Sequence, residues 1–249
     1  MKIGIISDIH EDINGLRKSF EIFQENNCTE FICLGDITGF SVDEFMSYFN
    51  HRDANACVDL VKNSCSAVVP GNHDLYNTQR IPKFISNFIY PENWYEMTYD
   101  ERKKLADNRI WLYEHSDLSP MLNRRNQKYL QSLEEFQVYN SNTMNILCTH
   151  SAFPDLSGST NHFIANSNEL GSHFKFMQEH NCTIGLSGHH HPEAAIIATE
   201  SSFELKSFGK YQLPSDLCWI VVPSIAESDR KLGVSILDLS EMTIEFIKL

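Results

Sequence analysis

The chain opens Lys2-Ile-Gly-Ile-Ile-Ser-Asp8-Ile-His10, a short apolar run that ends on a carboxylate and an imidazole. The arrangement recurs four times. Phe31–Leu34 runs into Gly35-Asp36 and Ala67–Val69 into Gly71-Asn72-His73-Asp74. Asn145–Cys148 runs toward His150, and Thr183–Leu186 toward Gly188-His189-His190-His191. Runs this short, bounded by glycine or polar residues, suit strands buried on both faces. In open α/β folds, ligands bind beyond the carboxyl ends of such strands. The five stretches therefore predict an α/β core with carboxylates, imidazoles and one amide gathered at one end of its strands.

Working outward, residues 1 to about 75 read β-α-β-α-β. Leu16, Phe20 and Phe23 recur at helical spacing in a helix from about Gly15 to Asn26. Further helices are expected near Asp43–Phe49 and at Ala54–Asn63. Residues 76–143 differ in character. Phe84, Phe88, Tyr90, Trp94, Tyr95 and Tyr99 follow no clear period and suggest the core of a lid. Thr98-Tyr-Asp-Glu101 has the form of a capping box for a helix ending near Asn108. Ser119-Pro120 predicts a second helix running to about Ser132. We read residues 76–143 as a helical insertion over the site, within a single domain spanning 1–249. After Met144 the strands return, with a helix near Asn168–His180. Beyond His191 the chain turns β-rich, with strands at Ala194–Thr199, Phe203–Ser207, Leu217–Val222, Lys231–Leu237 and Thr243–Ile247. Two sheets packed face to face, with helices outside, is the natural arrangement.

Composition narrows the function. The 33 acidic residues against 20 basic ones give a net charge of −13. Broad binding to long nucleic acid needs a basic footprint, which this balance does not provide. A single nucleotide remains compatible as a substrate. The seven cysteines form no CxxC pair and read as free thiols of a reducing compartment. No apolar stretch is long enough for a membrane span, and the first residues do not form a signal peptide. A soluble, cytoplasmic protein is the expectation.

The motif residues suit hard cations. On an extended segment, positions i and i+2 face the same way, so Asp8 with His10, and His189 with His191, could each grip one ion. Asp36 has two oxygens and could bridge two ions, Asn72 offers a carbonyl oxygen, and His150 another imidazole. That is more than one transition-metal ion needs, so two divalent ions roughly 3.5–4 Å apart are expected. Nitrogen and oxygen donors without thiolate favour Mn²⁺ first, with Fe, Zn, Co or Ni as alternatives, over Mg²⁺ or Ca²⁺. Two such ions can polarise a phosphate ester and lower the pKa of water toward about 7. His73, next to Asn72, is placed to assist the leaving group, and Asp74 to orient His73.

In order and spacing, the motifs D-x-H, G-D, G-N-H-[DE], H and G-H-x-H resemble those of the calcineurin-like metallophosphoesterase superfamily. Leu34-Gly-Asp-Ile-Thr-Gly-Phe and Gly188-His-His-His-Pro look like its small bacterial and archaeal phosphodiesterase branch. The resemblance implies a four-layer αββα sandwich of two mixed sheets. It implies Asp8, His10, Asp36 and His191 on one metal, and Asp36, Asn72, His150 and His189 on the other. It implies His73 on the phosphate and hydrolysis of a small phosphomonoester or phosphodiester. The chain departs from the pattern at Glu11-Asp12, where many small members have Gly-Asn, and at Ser151, where they often have Gly. Ile37-Thr38-Gly39 stands where the protein phosphatases continue to Asp-Arg-Gly. A scaffold without catalysis is the alternative reading. It fits less well, because every ligand position and His73 are present.

The remaining histidines, His51, His115, His162, His173, His180 and His190, carry no motif and are expected at the surface or in the core. His162, in a loop after His150, is the one placed to reach a substrate. Arg80, Arg124 and Arg125 are candidate phosphate clamps.

Overall fold

Along Lys2–Ile6 the side chains alternate, as they must in a strand. Ile3 and Ile5 enter one apolar layer and Ile6 the other. The structure is a computed structural model that describes residues Met1–Leu249. Its first half runs β1 (Lys2–Ile6), α1 (Ile13–Glu25), β2 (Glu30–Cys33), β3 (Phe40–Ser41), α2 (Val42–Phe45), α3 (Ala54–Ser64), β4 (Ala67–Val68), α4 (Asn72–Asn77), α5 (Tyr99–Ala106), β5 (Asp117–Leu118) and α6 (Arg124–Ser132). It continues β6 (Phe136–Asn140), β7 (Asn145–Thr149), α7 (Gly171–Glu179), β8 (Cys182–Ser187), β9 (Ala195–Ala198), β10 (Phe203–Lys206), β11 (Gly209–Gln212), β12 (Cys218–Val221), β13 (Gly233–Asp238) and β14 (Thr243–Lys248).

Two six-stranded sheets carry the fold, in the orders β11-β14-β13-β1-β2-β4 and β10-β9-β12-β8-β7-β6. In the first, β1, β2 and β4 are parallel, while β13 pairs antiparallel to β1 with Lys2 opposite Asp238. In the second, β7, β8 and β12 are parallel. Both sheets are therefore mixed, and all five motifs leave parallel strands.

Three apolar clusters define four layers. Ile3, Ile5, Ile32 and Leu34 meet Ile146, Cys148, Ile184 and Ile220 between the sheets. Leu16 and Phe23 of α1, with Val58 and Val61 of α3, cover Ile6, Cys33 and Ile236 on the outer face of the first sheet. Phe174 and Met177 of α7 cover Leu147, Trp219 and Val221 on the outer face of the second. This is the αββα sandwich expected from the motifs. No helix is long and apolar enough to cross a membrane.

Most differences from expectation lie between β4 and β7. The capping box at Thr98 and Glu101 forms and opens α5, which stops at Ala106. The second helix starts later than Ser119-Pro120 suggested. Asn123 is its cap, accepting from the Asn126 amide, so α6 begins at Arg124. Near Asp43–Phe49 only Val42–Phe45 is α-helical, and a 3₁₀ turn follows over Met46–His51. Most of the aromatic stretch packs around Trp94, Ala106 and Ile110 as a small satellite core. The last part of 76–143 is strand: β6 pairs with β7 at the border of the second sheet. β11 was likewise not anticipated. Both are edge strands with several half-exposed or exposed residues, so neither presents an apolar run.

Candidate metal centre

Asp8 and His10 follow β1, Asp36 follows β2, and Asn72 is the first residue of α4 after β4. His150 follows β7, and His189 and His191 follow β8. Donor atoms of Asp8, His10 and His191 lie within 4.8 Å of one another, as do those of Asp36, His150 and His189, and those of His10, Asp36 and His73. The backbone does not present them as extended pairs. Asp8, His10, Asp36, His189 and His191 have φ of 55°, 46°, 50°, 66° and 43°. Left-handed conformations are uncommon for residues with a Cβ and persist only where the surroundings impose them. Here the amides of Ile9 and His10 both donate to the Asp36 carbonyl, at 2.8 and 2.9 Å. The Asp8 carbonyl accepts from Ser224 Oγ at 3.0 Å and from the Ala226 amide at 3.2 Å. The left-handed turns, rather than the alternation of a strand, thus set the direction of these side chains.

The donor set fits cations. His150 Nδ1 donates to the Leu34 carbonyl at 2.6 Å, and His10 Nδ1 to the Gly39 carbonyl at 2.7 Å. Such bonds fix the tautomer and leave Nε2 as a lone pair, the form in which imidazole binds metal. His150 Nε2 then faces Asp36 Oδ2 and Asn72 Oδ1, each at 3.1 Å. His10 Nε2 lies 3.3 Å from His191 Nε2, which is 3.1 Å from Asp8 Oδ1. Acceptors facing acceptors in a buried site call for a positive charge among them. His189 Nε2 is buried with no hydrogen-bond partner at all, a cost that a ligand would remove.

The donors also set one another's ionisation, so protons compete with a cation for them. Burial opposes the charge on Asp36, but His150 and His73 hold its carboxyl well below the usual range. Burial and the neighbouring His73 push His10 down to about 4. Burial likewise opposes charge on His150, yet Asp36 and Asp8 pull it up to about 9.

His73 donates from Nδ1 to Asp117 Oδ2 at 2.7 Å, and its backbone amide donates to Asp36 Oδ1 at 2.9 Å. Burial opposes its charge, but Asp36 and Asp117 raise it to about 9. Asp74 is not the residue that orients it. The Asp74 carboxylate accepts from the Ile37, Thr38 and Gly71 amides and from Thr38 Oγ1, so it ties the second and third motif loops together. Asn72 Nδ2 donates to the Tyr113 hydroxyl, which turns Oδ1 toward His150. Glu11 and Asp12 also have structural employment. Asp12 caps α1 through the Asn14 and Gly15 amides, and Glu11 accepts from the Gly39 amide and pairs with Arg52.

Above these residues opens a cavity of about 420 Å³, whose walls include Phe45, Trp111, Tyr113, Asp117, Phe163 and Arg230. The clamps expected from sequence are elsewhere. Arg80 donates to the Leu130 and Leu133 carbonyls, and Arg124 and Arg125 are exposed on α6. His162 is exposed and pairs with Glu169 rather than reaching the cavity. His190 lines the cavity, but its Nε2 accepts from the Ile164 amide. Asp117, Tyr113 and Arg230 carried no motif. Asp117 reaches His73 because β5 pairs with β3, a link of two residues on each side.

The match to known proteins follows this geometry. A metallophosphoesterase of Sphaerobacter thermophilus superposes with a TM-score of 0.69 at 17% identity, covering 100% of this chain and 88% of that one. A hypothetical protein of Pyrococcus horikoshii gives 0.59 at 11% identity, covering 100% and 87%. These establish the shared fold. An uncharacterised protein of Methanocaldococcus jannaschii is 33% identical over 73 residues, a match spanning 29% of this chain and 26% of that relative. Residues 1–193, which contain every motif described above, match the calcineurin-like phosphoesterase family, and the chain belongs to it.

Proposed function

We propose that the protein hydrolyses a small phosphate ester, a phosphomonoester or phosphodiester, at a centre of two divalent metal ions with water as nucleophile. The observation that carries this reading is the convergence of three largely buried donor groups on one cavity, with Asp36 common to two of them. Asp8, His10, Asp36 and His191 would hold one ion, and Asp36, Asn72, His150 and His189 the other. Mn²⁺ is the first choice, and Fe, Zn, Co or Ni satisfy the same donors. Bound there, such ions supply Lewis acidity toward phosphoryl oxygens and acidify water. The chain's own part is positioning and proton transfer. His73 keeps Nδ1 on Asp117, which leaves Nε2 for the phosphate or the leaving oxygen. Asn72 is oriented by Tyr113, and Trp111, Tyr113 and Phe163 line one side of the cavity.

The test is turnover of p-nitrophenyl phosphate and bis-p-nitrophenyl phosphate with Mn²⁺ and after chelation. Wild type should turn over at least one of them only with metal. Asp36→Asn and His73→Ala should each lose about a hundred-fold or more while folding like wild type. Full activity in both variants would refute the reading. The preferred ester decides between phosphatase and phosphodiesterase.

A further inference from the structure

The cavity wall has two unlike sides. Beside His189 and Asn72 stand Trp111, Tyr113 and Phe163, none of them charged at neutral pH. Phe163 stacks on the His189 ring at 5.0 Å and 26°, meets the His190 ring edge-on at 5.4 Å, and has the Trp111 ring beside it at 6.1 Å. Beside His10 and His191 stand Asp43, Glu44 and Arg230, with the Arg230 guanidinium on the His191 carbonyl.

Phe163 is 45% exposed, yet the chain around it is pinned. The Asn161 amide donates to the Arg109 carbonyl at 2.8 Å, the Trp111 amide to the Ser159 carbonyl at 3.1 Å, and the Ile164 amide to His190 at 3.1 Å. These bonds join the Trp111 segment to the Phe163 loop, so the two rings form one wall. A large ring held out of the core gains little from folding. It offers a face to whatever enters the cavity. Apart from the ligand cluster and the His73–Asp117 pair, the wall carries two carboxylates and one guanidinium. A chain of several phosphates would meet like charge there.

We propose that Trp111 and Phe163 are the specificity residues of this site, and that they select an ester of a single phosphate whose organic arm carries a planar ring. This rests on the phosphoesterase reading given above. The ring lies against the Trp111–Phe163 wall while the phosphate sits among the ligand residues. Stacking on aromatic side chains tolerates any flat ring, so an aryl group and a nucleobase both satisfy it.

Calorimetry of the metal-loaded protein with adenosine 5′-monophosphate and with ribose 5-phosphate, each as its non-hydrolysable 5′-phosphonate, tests the wall without turnover. The two probes share the phosphonate and the sugar and differ in the ring. Wild type should bind the nucleotide about ten-fold tighter. Phe163→Ala and Trp111→Ala should erase that preference by weakening the nucleotide alone, and Phe163→Tyr, which keeps the ring, should retain it. Equal affinity for the two probes in wild type overturns the proposal, as does undetectable binding of both. So does a variant that weakens both probes alike. Loss of p-nitrophenyl ester turnover with the ring preference intact would instead strike the phosphoesterase reading and leave the wall in place.

Discussion

Asp117 is the residue that sequence alone did not reveal. It lies in no motif, 44 positions beyond His73, and only the β3–β5 pairing brings the two within 2.7 Å. Its carboxylate fixes which nitrogen of His73 faces the cavity. Asp117→Asn should therefore lower kcat about ten- to hundred-fold with metal content unchanged, measured by steady-state kinetics and elemental analysis. Asp74, next to His73 in sequence, looked like the orienting group but spends its oxygens on backbone amides of two loops. A second residue-scale prediction concerns His173, buried in the second outer layer. Its Nδ1 accepts from the Phe153 amide at 3.0 Å, and burial holds its pKa down at about 3, against 6.5 in the unfolded chain. The folded value is the lower one, so between these limits the unfolded chain takes up the extra proton. The stability this group contributes is intact above 6.5 and is lost as pH falls toward about 3. His173→Gln, which keeps an acceptor but does not titrate, should flatten that loss. Thermal unfolding at about pH 5 and about pH 7.5 would register it.

At the scale of elements, the loops after the strands are shaped by what presses on them. Gly158 has φ of +72°, and a Cβ there would lie 2.7 Å from the His189 ring. Gly158→Ala should displace His189 and strain the turn, weakening metal binding about ten-fold or more in a calorimetric titration. Gly39, at φ of +100°, stands against His73 in the same way. The strands bearing the ligands were readable because each joins an apolar run to a polar stop, and burial on both faces imposes that pattern. The edge strands β6 and β11 were not, since a strand covered on one side can mix polar and apolar residues freely. The α6 start was misplaced because Ser119-Pro120 imitates a cap that Asn123 supplies. The i, i+2 argument for Asp8 and His10 assumed an extended backbone that the chain does not have there. Left-handed turns, which leave no mark in composition, do the aiming.

For the molecule as a whole, the candidate ligands are divided between the sheets. Asp8, His10, Asp36 and Asn72 leave the first, and His150, His189 and His191 leave the second. A cation held by both sets would tie the layers together. Chelation should lower the unfolding temperature by about 5–10 °C, from a ligand term of about 2.7 kcal/mol at a hundred times Kd. Differential scanning fluorimetry before and after chelation measures it. The apolar runs and their polar stops made this architecture legible, whereas the completion of the first sheet by β13 and β14 was visible only as two late strands. That completion has a consequence for biosynthesis. Lys2 of β1 finds its partner in Asp238, and the Asp8 carbonyl is anchored by Ser224 and Ala226. At about 5–20 residues per second, one edge of β1 waits on the order of ten to fifty seconds on the ribosome before its neighbour is made. Through that interval the nascent chain offers an open strand edge and an unsecured Asp8. The Asp8 turn is therefore secured only after synthesis has passed β13, and the open edge is where a chaperone would have to stand guard.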